Sequence, residues 1–152
     1  KTNSIINELG VINNGDNYYE IENTNGIKLS RSDMSALAQA KAANYCGQSI
    51  AIKRSGLGIN EFKHLFLSGG FANYINVDNA KKIGFLIDTP NANVLKIGNS
   101  ALNGAIIYLV NIEERIKIES IVKSIKHVEL ETDENFFDHF VEGCQFKELK
   151  VM

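Results

Sequence analysis

Two short glycine-bearing segments are the parts of this chain best suited to touch a ligand. The first, Ser68-Gly69-Gly70-Phe71, directly follows the apolar run from His64 to Leu67. Adjacent glycines after a strand permit φ > 0 and let a ligand approach where a Cβ would collide. In open α/β sheets ligands lie outside the carboxyl ends of the strands, where such a turn falls. A tight strand-to-helix turn with no ligand explains the same residues, because Gly-Gly is a looser signal than a full phosphate fingerprint. The second segment, Gly98-Asn99, follows the run from Val94 to Ile97 and opens another helical pattern. Exposed N–H groups at such a junction can hold an anion, while Asn99 as an ordinary N-cap is the plainer alternative. Lys41 is the remaining candidate, interrupting the apolar face of a long helix. It reads either as a ligand contact or as an amine that snorkels to solvent.

No catalytic constellation and no metal site emerge. The chain has no serine–histidine–acid spacing, no H-E-x-x-H and no G-x-x-x-x-G-K-[ST], and His64, His127 and His139 lack metal-ligand spacing. Its two cysteines, Cys46 and Cys144, are far apart. An iron–sulfur cluster or structural zinc needs about four ligands, so both cysteines are expected to be free, buried thiols.

The elements that must position these residues are legible in part. Ser30-Arg31-Ser32-Asp33 is a capping box that opens a helix over 31–55, stopped by Gly56. Met34, Leu37, Ala38, Tyr45 and Ile52 share one face, which Lys41 and Gln48 interrupt. The small residues Ala36, Ala40, Ala43 and Gly47 line nearly the opposite face, which predicts cover on both sides. His64–Leu67 reads as a buried strand of the parallel type, followed by a short helix from Asn76 that Gly84 ends. Val94–Ile97 is a second strand, Ala101–Val110 a helix, and a further helix runs to about Ile125. Val128–Leu130 reads as a strand. Thr132-Asp133 is expected to cap a last helix with a core stripe of Phe136, Phe137, Phe140, Val141 and Cys144. Upstream, Tyr18–Ile21 and Ile27–Leu29 form a hairpin around Asn25-Gly26. Residues 5–10 resemble a helix tail, and a turn is expected at 13–16. The reading is of one module over 1–152, with 1–30 a lead-in and 31–152 an α/β core.

Composition narrows the function classes. The net charge of −2 shows no basic excess that would point to nucleic acid. No apolar run approaches the ~20 residues that span a bilayer, and no signal-peptide pattern opens the chain. These features predict a soluble, cytoplasmic protein. The absence of an initiator Met and the unsupported hairpin predict a chain that starts inside a larger domain.

Several of these blocks occur in a recognisable order: Leu37-Ala38-Gln39-Ala40-Lys41, then Leu67 through Ile75, Asp78 through Gly84, Ile97 through Ala105, and Val128-Glu129-Leu130. Together they resemble the C-terminal part of the reductive activators of corrinoid-dependent proteins. The resemblance implies a partial α/β fold, the C-terminal lobe of an actin-like/Hsp70-like (ribonuclease H-like) ATPase domain, with an N-terminal β-hairpin. It also implies a role in anaerobic methyltransferase systems, where ATP drives an electron from an iron–sulfur domain onto the cobalt of a corrinoid methyl-carrier protein. On the same resemblance Ser68, Gly69, Gly70 and Phe71 match the adenosine motif, Gly98 and Asn99 the strand–helix beside it, and Lys41 a helix lining the adenosine side. The site would be a partial one for ATP, and any iron–sulfur cluster would belong to another part of the parent protein.

The chain departs from that pattern in four respects, one being the absence of a ferredoxin-like cysteine cluster. The Asp-x-Gly phosphate turns are missing, so this chain alone is not expected to hydrolyse ATP. A family Leu-Pro-Asp segment is here Leu86-Ile87-Asp88, and the tail ends in Val151-Met152 rather than near Leu-Pro-His. A second reading is a non-catalytic interaction or dimerisation module of the same fold that binds no nucleotide, since the small-residue stripe suits a tight helix–helix contact.

Overall fold

The computed structural model describes residues 7–12 and 18–149. In chain order the elements are strands β1 (Tyr18–Glu20) and β2 (Lys28–Ser30), helix α1 (Arg31–Ser55), a 3-10 turn (Ile59–Glu61) and strand β3 (His64–Leu67). Helices α2 (Gly70–Tyr74) and α3 (Val77–Lys82), strand β4 (Asn93–Lys96), and helices α4 (Ser100–Val110) and α5 (Ile112–Ser124) follow. A second 3-10 turn (Leu130–Thr132) and helix α6 (Phe136–Gly143) complete the order. The chain divides into two compact units. One holds the described residues of Lys1–Leu57 and Leu130–Met152 together with Val77–Asp88; the other holds Gly58–Asn76 and Thr89–Glu129. The helix tail expected over 5–10 and the turn at 13–16 lie partly or wholly outside the described residues.

The first unit is built on α1. Ser30 Oγ accepts from the Asp33 amide and the Asp33 carboxylate accepts from the Ser30 amide, completing the capping box. Gly56, at φ 71°, closes the helix by donating to the Lys53 carbonyl. The antiparallel pair β1–β2 leads straight into α1, with Tyr19 opposite Leu29. The core comprises Ile12, Met34, Ala42, Tyr45, Cys46, Ile50, Ala80, Leu86, Ile87 and Leu149, all buried. Gln48, which interrupts the apolar face of α1, is a satisfied strut. Its amide donates to the Phe85 carbonyl at 3.0 Å and accepts from the Ile87 amide at 3.1 Å.

Helix α6 packs on α1 with its smallest residue at the crossing. A Cβ added to Gly143 would stand 2.8 Å from the Ala42 Cα and 3.1 Å from Tyr45 Cδ1. The Tyr45 ring meets His139 edge-on at 6.3 Å, and its hydroxyl donates to Glu142 at 3.0 Å. Burial pushes the Tyr45 hydroxyl up to about 12 and raises the Cys46 thiol. Because the obstruction at Gly143 is backbone, Gly143→Val must separate the helices. It is expected to cost about 2 kcal/mol, the usual scale of overpacking, read as a lower urea midpoint at unchanged slope.

Several sequence expectations are corrected here. The buried residues of α6 are His139 and Gly143, while Phe137 is 73% exposed and Val141 is also exposed. Of the core stripe read from Phe136, Phe137, Phe140, Val141 and Cys144, Phe136, Phe140 and Cys144 are half-buried while Phe137 and Val141 face away, because the closest helix approach selects the face with no bulk at 143. Cys144 is half-buried rather than buried, and both thiols are free. The N-cap of α6 is Asn135, not Thr132 or Asp133. Asp133 instead accepts from the Asn135 backbone amide at 3.1 Å, and next from Arg54 at 2.8 Å, which together hold its carboxyl below the usual range. Val128–Leu130 is not a strand: Leu130 starts a 3-10 turn, and no strand pairs with it among the described residues. Of the small-residue stripe, Ala36, Ala40 and Ala43 are exposed and Gly47 is half-buried beside Leu130, so the described residues do not cover that face of α1 as expected.

The second unit carries a parallel pair, β3 and β4, in the register His64↔Asn93 to Leu67↔Lys96. The parallel arrangement agrees with the sequence reading, but the expected full burial does not hold. The strand alternates exposed and half-buried positions, and Phe66 is 57% exposed. Helix α2 has no counterpart in the sequence reading, which expects the next helix only at Asn76; α3 there begins at Val77 and ends before Gly84.

Candidate functional site

Because β3 and β4 run parallel, the turns that leave them emerge at one edge of the sheet. The strand ladder continues beyond the strands. Ile97 donates to the Leu67 carbonyl at 2.9 Å, and Gly69 donates to the Gly98 carbonyl at 2.7 Å. Ser68 Oγ lies 3.1 Å from the Gly98 carbonyl and 2.5 Å from Ser100 Oγ, and the Ser100 amide donates to it at 3.3 Å. The two glycine turns, separate in sequence, form a single cradle.

Two glycines give the cradle its shape. Gly69 sits at φ 99°, ψ 164°, a region essentially confined to glycine. Gly98 sits at φ 63°, in the left-handed region. Gly70 needs no such freedom, since it opens α2 without positive φ. A Cβ built on Gly69, Gly70 or Gly98 would meet nothing within 4 Å. Backbone therefore faces open space there, and Phe71 is largely exposed beside it.

Asn99 caps α4, accepting from the Leu102 amide at 3.0 Å. The Ser100 amide also donates to Gly98 at 3.1 Å, and the Asn103 amide donates to Asn99. Few donors at the start of α4 therefore remain for an anion.

Six of the seven residues singled out from the sequence thus come together: Ser68, Gly69, Gly70, Phe71, Gly98 and Asn99. Lys41 belongs to the other unit. Its side chain is fully buried rather than snorkelled, and its ammonium donates to the Gly143 carbonyl and, at 2.6 Å, to the Gln145 carbonyl. Two residues at the cradle were not singled out, Ser100 and Lys96. Lys96 Nζ donates to the carbonyls of Asn73 at 3.2 Å and Ile75 at 2.7 Å. A serine directly after Gly98-Asn99 is a local hint; nothing local marks Lys96.

The first unit holds a separate cavity of about 520 Å³, lined chiefly by Leu9, Met34, Ala38, Val141 and Cys144. Among the described residues no cluster of three or more His, Cys, Asp or Glu could hold a metal ion, and no helix is long and apolar enough to cross a membrane.

Comparison with known proteins places these observations. A family model described as the C-terminal domain of RACo, the ASKHA domain, matches residues 8–152. The corrinoid activation enzyme RamQ of Eubacterium limosum is 34% identical over 146 residues, covering 92% of this chain and 25% of that protein. A solved reductive activator for corrinoid, iron-sulfur protein superposes with a TM-score of 0.79 at 25% identity, over 96% of this chain and 26% of the other. The chain spans about a quarter of the length of these relatives.

Proposed function

We propose, on the premise that this chain belongs to the family of C-terminal ASKHA domains of RACo, that it supplies the adenosine side of an ATP site in an activator of corrinoid proteins. The observation that carries this reading is the joined cradle at the carboxyl edge of β3 and β4. Gly69, Gly70 and Gly98 leave open the space a Cβ would fill. A flat ring can therefore approach the backbone, with Ser68, Phe71 and Asn99 around it.

When bound, ATP supplies the free energy of phosphoryl transfer. The part of this chain is to hold and orient the nucleoside. The magnesium-binding carboxylates that phosphoryl transfer needs belong to other segments of an activator, since no Asp-x-Gly turn is present. An iron–sulfur cluster does not fit these residues: the chain has two cysteines, and Cys46 is buried and hydrogen-bonded to the Phe136 carbonyl. Lys41 is left outside the binding set, because its ammonium already serves two carbonyls. A corrinoid protein as partner is supported by what the relatives are called; that the partner is a methyl carrier and that the location is cytoplasmic are further parts of the same proposal.

Adenosine alone tests the reading, because it needs only this side of the site. Titrated into the isotopically labelled chain, it is expected to shift the amide resonances of Gly69, Gly70, Phe71, Gly98 and Asn99, with a Kd on the order of 1 mM, about −4 kcal/mol. Silence at these amides at saturating adenosine would remove the proposal. The exposed stripe Ala36, Ala40 and Ala43 would then favour the second reading, an interaction module that pairs with another copy.

A further inference from the structure

We infer that Ser100 and Lys96 are positioning residues that hold the Gly69–Gly70 turn and α2 in the form that receives the nucleoside. The inference rests on the adenosine reading of the cradle and adds two residues to it that touch no ligand themselves.

Helix α2 is five residues long and buries only Ala72, while its Tyr74 is 90% exposed. So short a helix is not stable by its own hydrogen bonds, and its packing is slight. Polar ties at both ends hold it instead. At the start, Ser68 Oγ is the hub. A hydroxyl has one proton to give and two lone pairs to accept with. With that proton given to the Gly98 carbonyl at 3.1 Å, the 2.5 Å contact between the serines is donated by Ser100 Oγ, and the Ser100 amide takes the remaining lone pair at 3.3 Å. Every capacity of Ser68 Oγ is used, and two of its three partners come from Ser100. At the far end, Lys96 closes the last turn by donating to the carbonyls of Asn73 and Ile75. A cation among the orphan carbonyls of a helix end is well placed electrostatically. Since Lys96 ends β4 and Ser100 begins α4, the same short stretch of chain fixes both ends of α2.

The test compares Ser100→Ala, Ser100→Thr, Lys96→Met and Lys96→Arg with the unaltered chain, by adenosine titration, amide hydrogen exchange at Gly69 and Ile75, and melting. Ser100→Ala is expected to weaken adenosine binding about five- to tenfold, the scale of a lost hydrogen bond. It should speed exchange at Gly69 by a similar factor with little change in melting, and Ser100→Thr should restore both by returning the hydroxyl. Lys96→Met is expected to weaken binding likewise and to speed exchange at Ile75, with Lys96→Arg recovering most of each. Adenosine affinity unchanged in both Ser100→Ala and Lys96→Met overturns this inference while the site reading stands. If the unaltered chain does not bind adenosine at the cradle, the site reading fails and the positioning role with it. A loss of affinity in Ser100→Ala that Ser100→Thr does not recover also counts against positioning through the hydroxyl.

Discussion

Gly69→Val abolishes adenosine binding while leaving the chain folded. At φ 99° and ψ 164° the residue occupies a region from which a β-branched side chain is excluded. The obstacle is not crowding, since a Cβ at this position meets nothing within 4 Å. Valine must therefore re-form the turn, breaking the 2.7 Å bond from the Gly69 amide to Gly98 and swinging the start of α2 away from the cradle. The local strain is worth about 1–3 kcal/mol, small enough for the rest of the unit to stay folded. Affinity is expected to fall by at least about tenfold, since a change of 1.4 kcal/mol already corresponds to that factor.

Gly70→Val separates the two causes. Gly70 has no positive φ and nothing near its added Cβ, so this variant should fold and melt as before. Its valine projects into the open space at the turn, so binding should fall through occupied volume alone. Titration and thermal melting together read both effects. Wild-type affinity in both variants would make the Gly-Gly segment a turn and nothing more.

Lys41→Ala lowers stability by about 3 kcal/mol. Truncation empties a fully buried site and strips two partners from the end of α6, the carbonyls of Gly143 and Gln145. That is a large share of a typical domain stability of about 5–15 kcal/mol. The pH dependence carries the signature of a buried cation. Burial lowers the Lys41 ammonium from 10.5 to about 8 in the folded chain. Between those values the unfolded chain binds more protons than the folded one, so the contribution of this group to stability rises with pH across the window. The cost of burying the charge is present in full below about 8 and relieved on deprotonation. The neutral amine still has two N–H donors for the two carbonyls, so the ties survive. The gap between the unaltered chain and Lys41→Ala, measured by urea denaturation, should widen from pH 7.5 towards 10.5. A gap that narrows over that range would contradict the assigned role.

Elements whose limits are written locally were legible in the residues themselves. Helix α1 runs from Arg31 to Ser55 as read, because Ser30, Asp33 and Gly56 cap it through bonds to residues at most three positions away. The hairpin follows from Asn23, Asn25 and Gly26, all at positive φ in its turn, and β3 and β4 follow from their apolar runs and the glycines after them. Residue order also carried the family likeness, since blocks in sequence survive whatever the packing.

What depended on partners distant in the chain was not legible. The buried face of α6 was decided by Ala42 meeting Gly143, and periodicity alone favoured the bulkier phenylalanine stripe. Lys41 presents one local pattern whether it snorkels, binds a ligand or is buried, and its acceptors lie 102 and 104 positions away. The cradle is the same case: Ser68 and Gly98 stand 30 residues apart, and only the parallel pairing of β3 with β4 makes them neighbours. Residue type and short-range spacing determined which segments could serve a ligand. The tertiary structure decided which of them share a site, because hydrogen bonds between distant residues depend on chain path and not on local pattern.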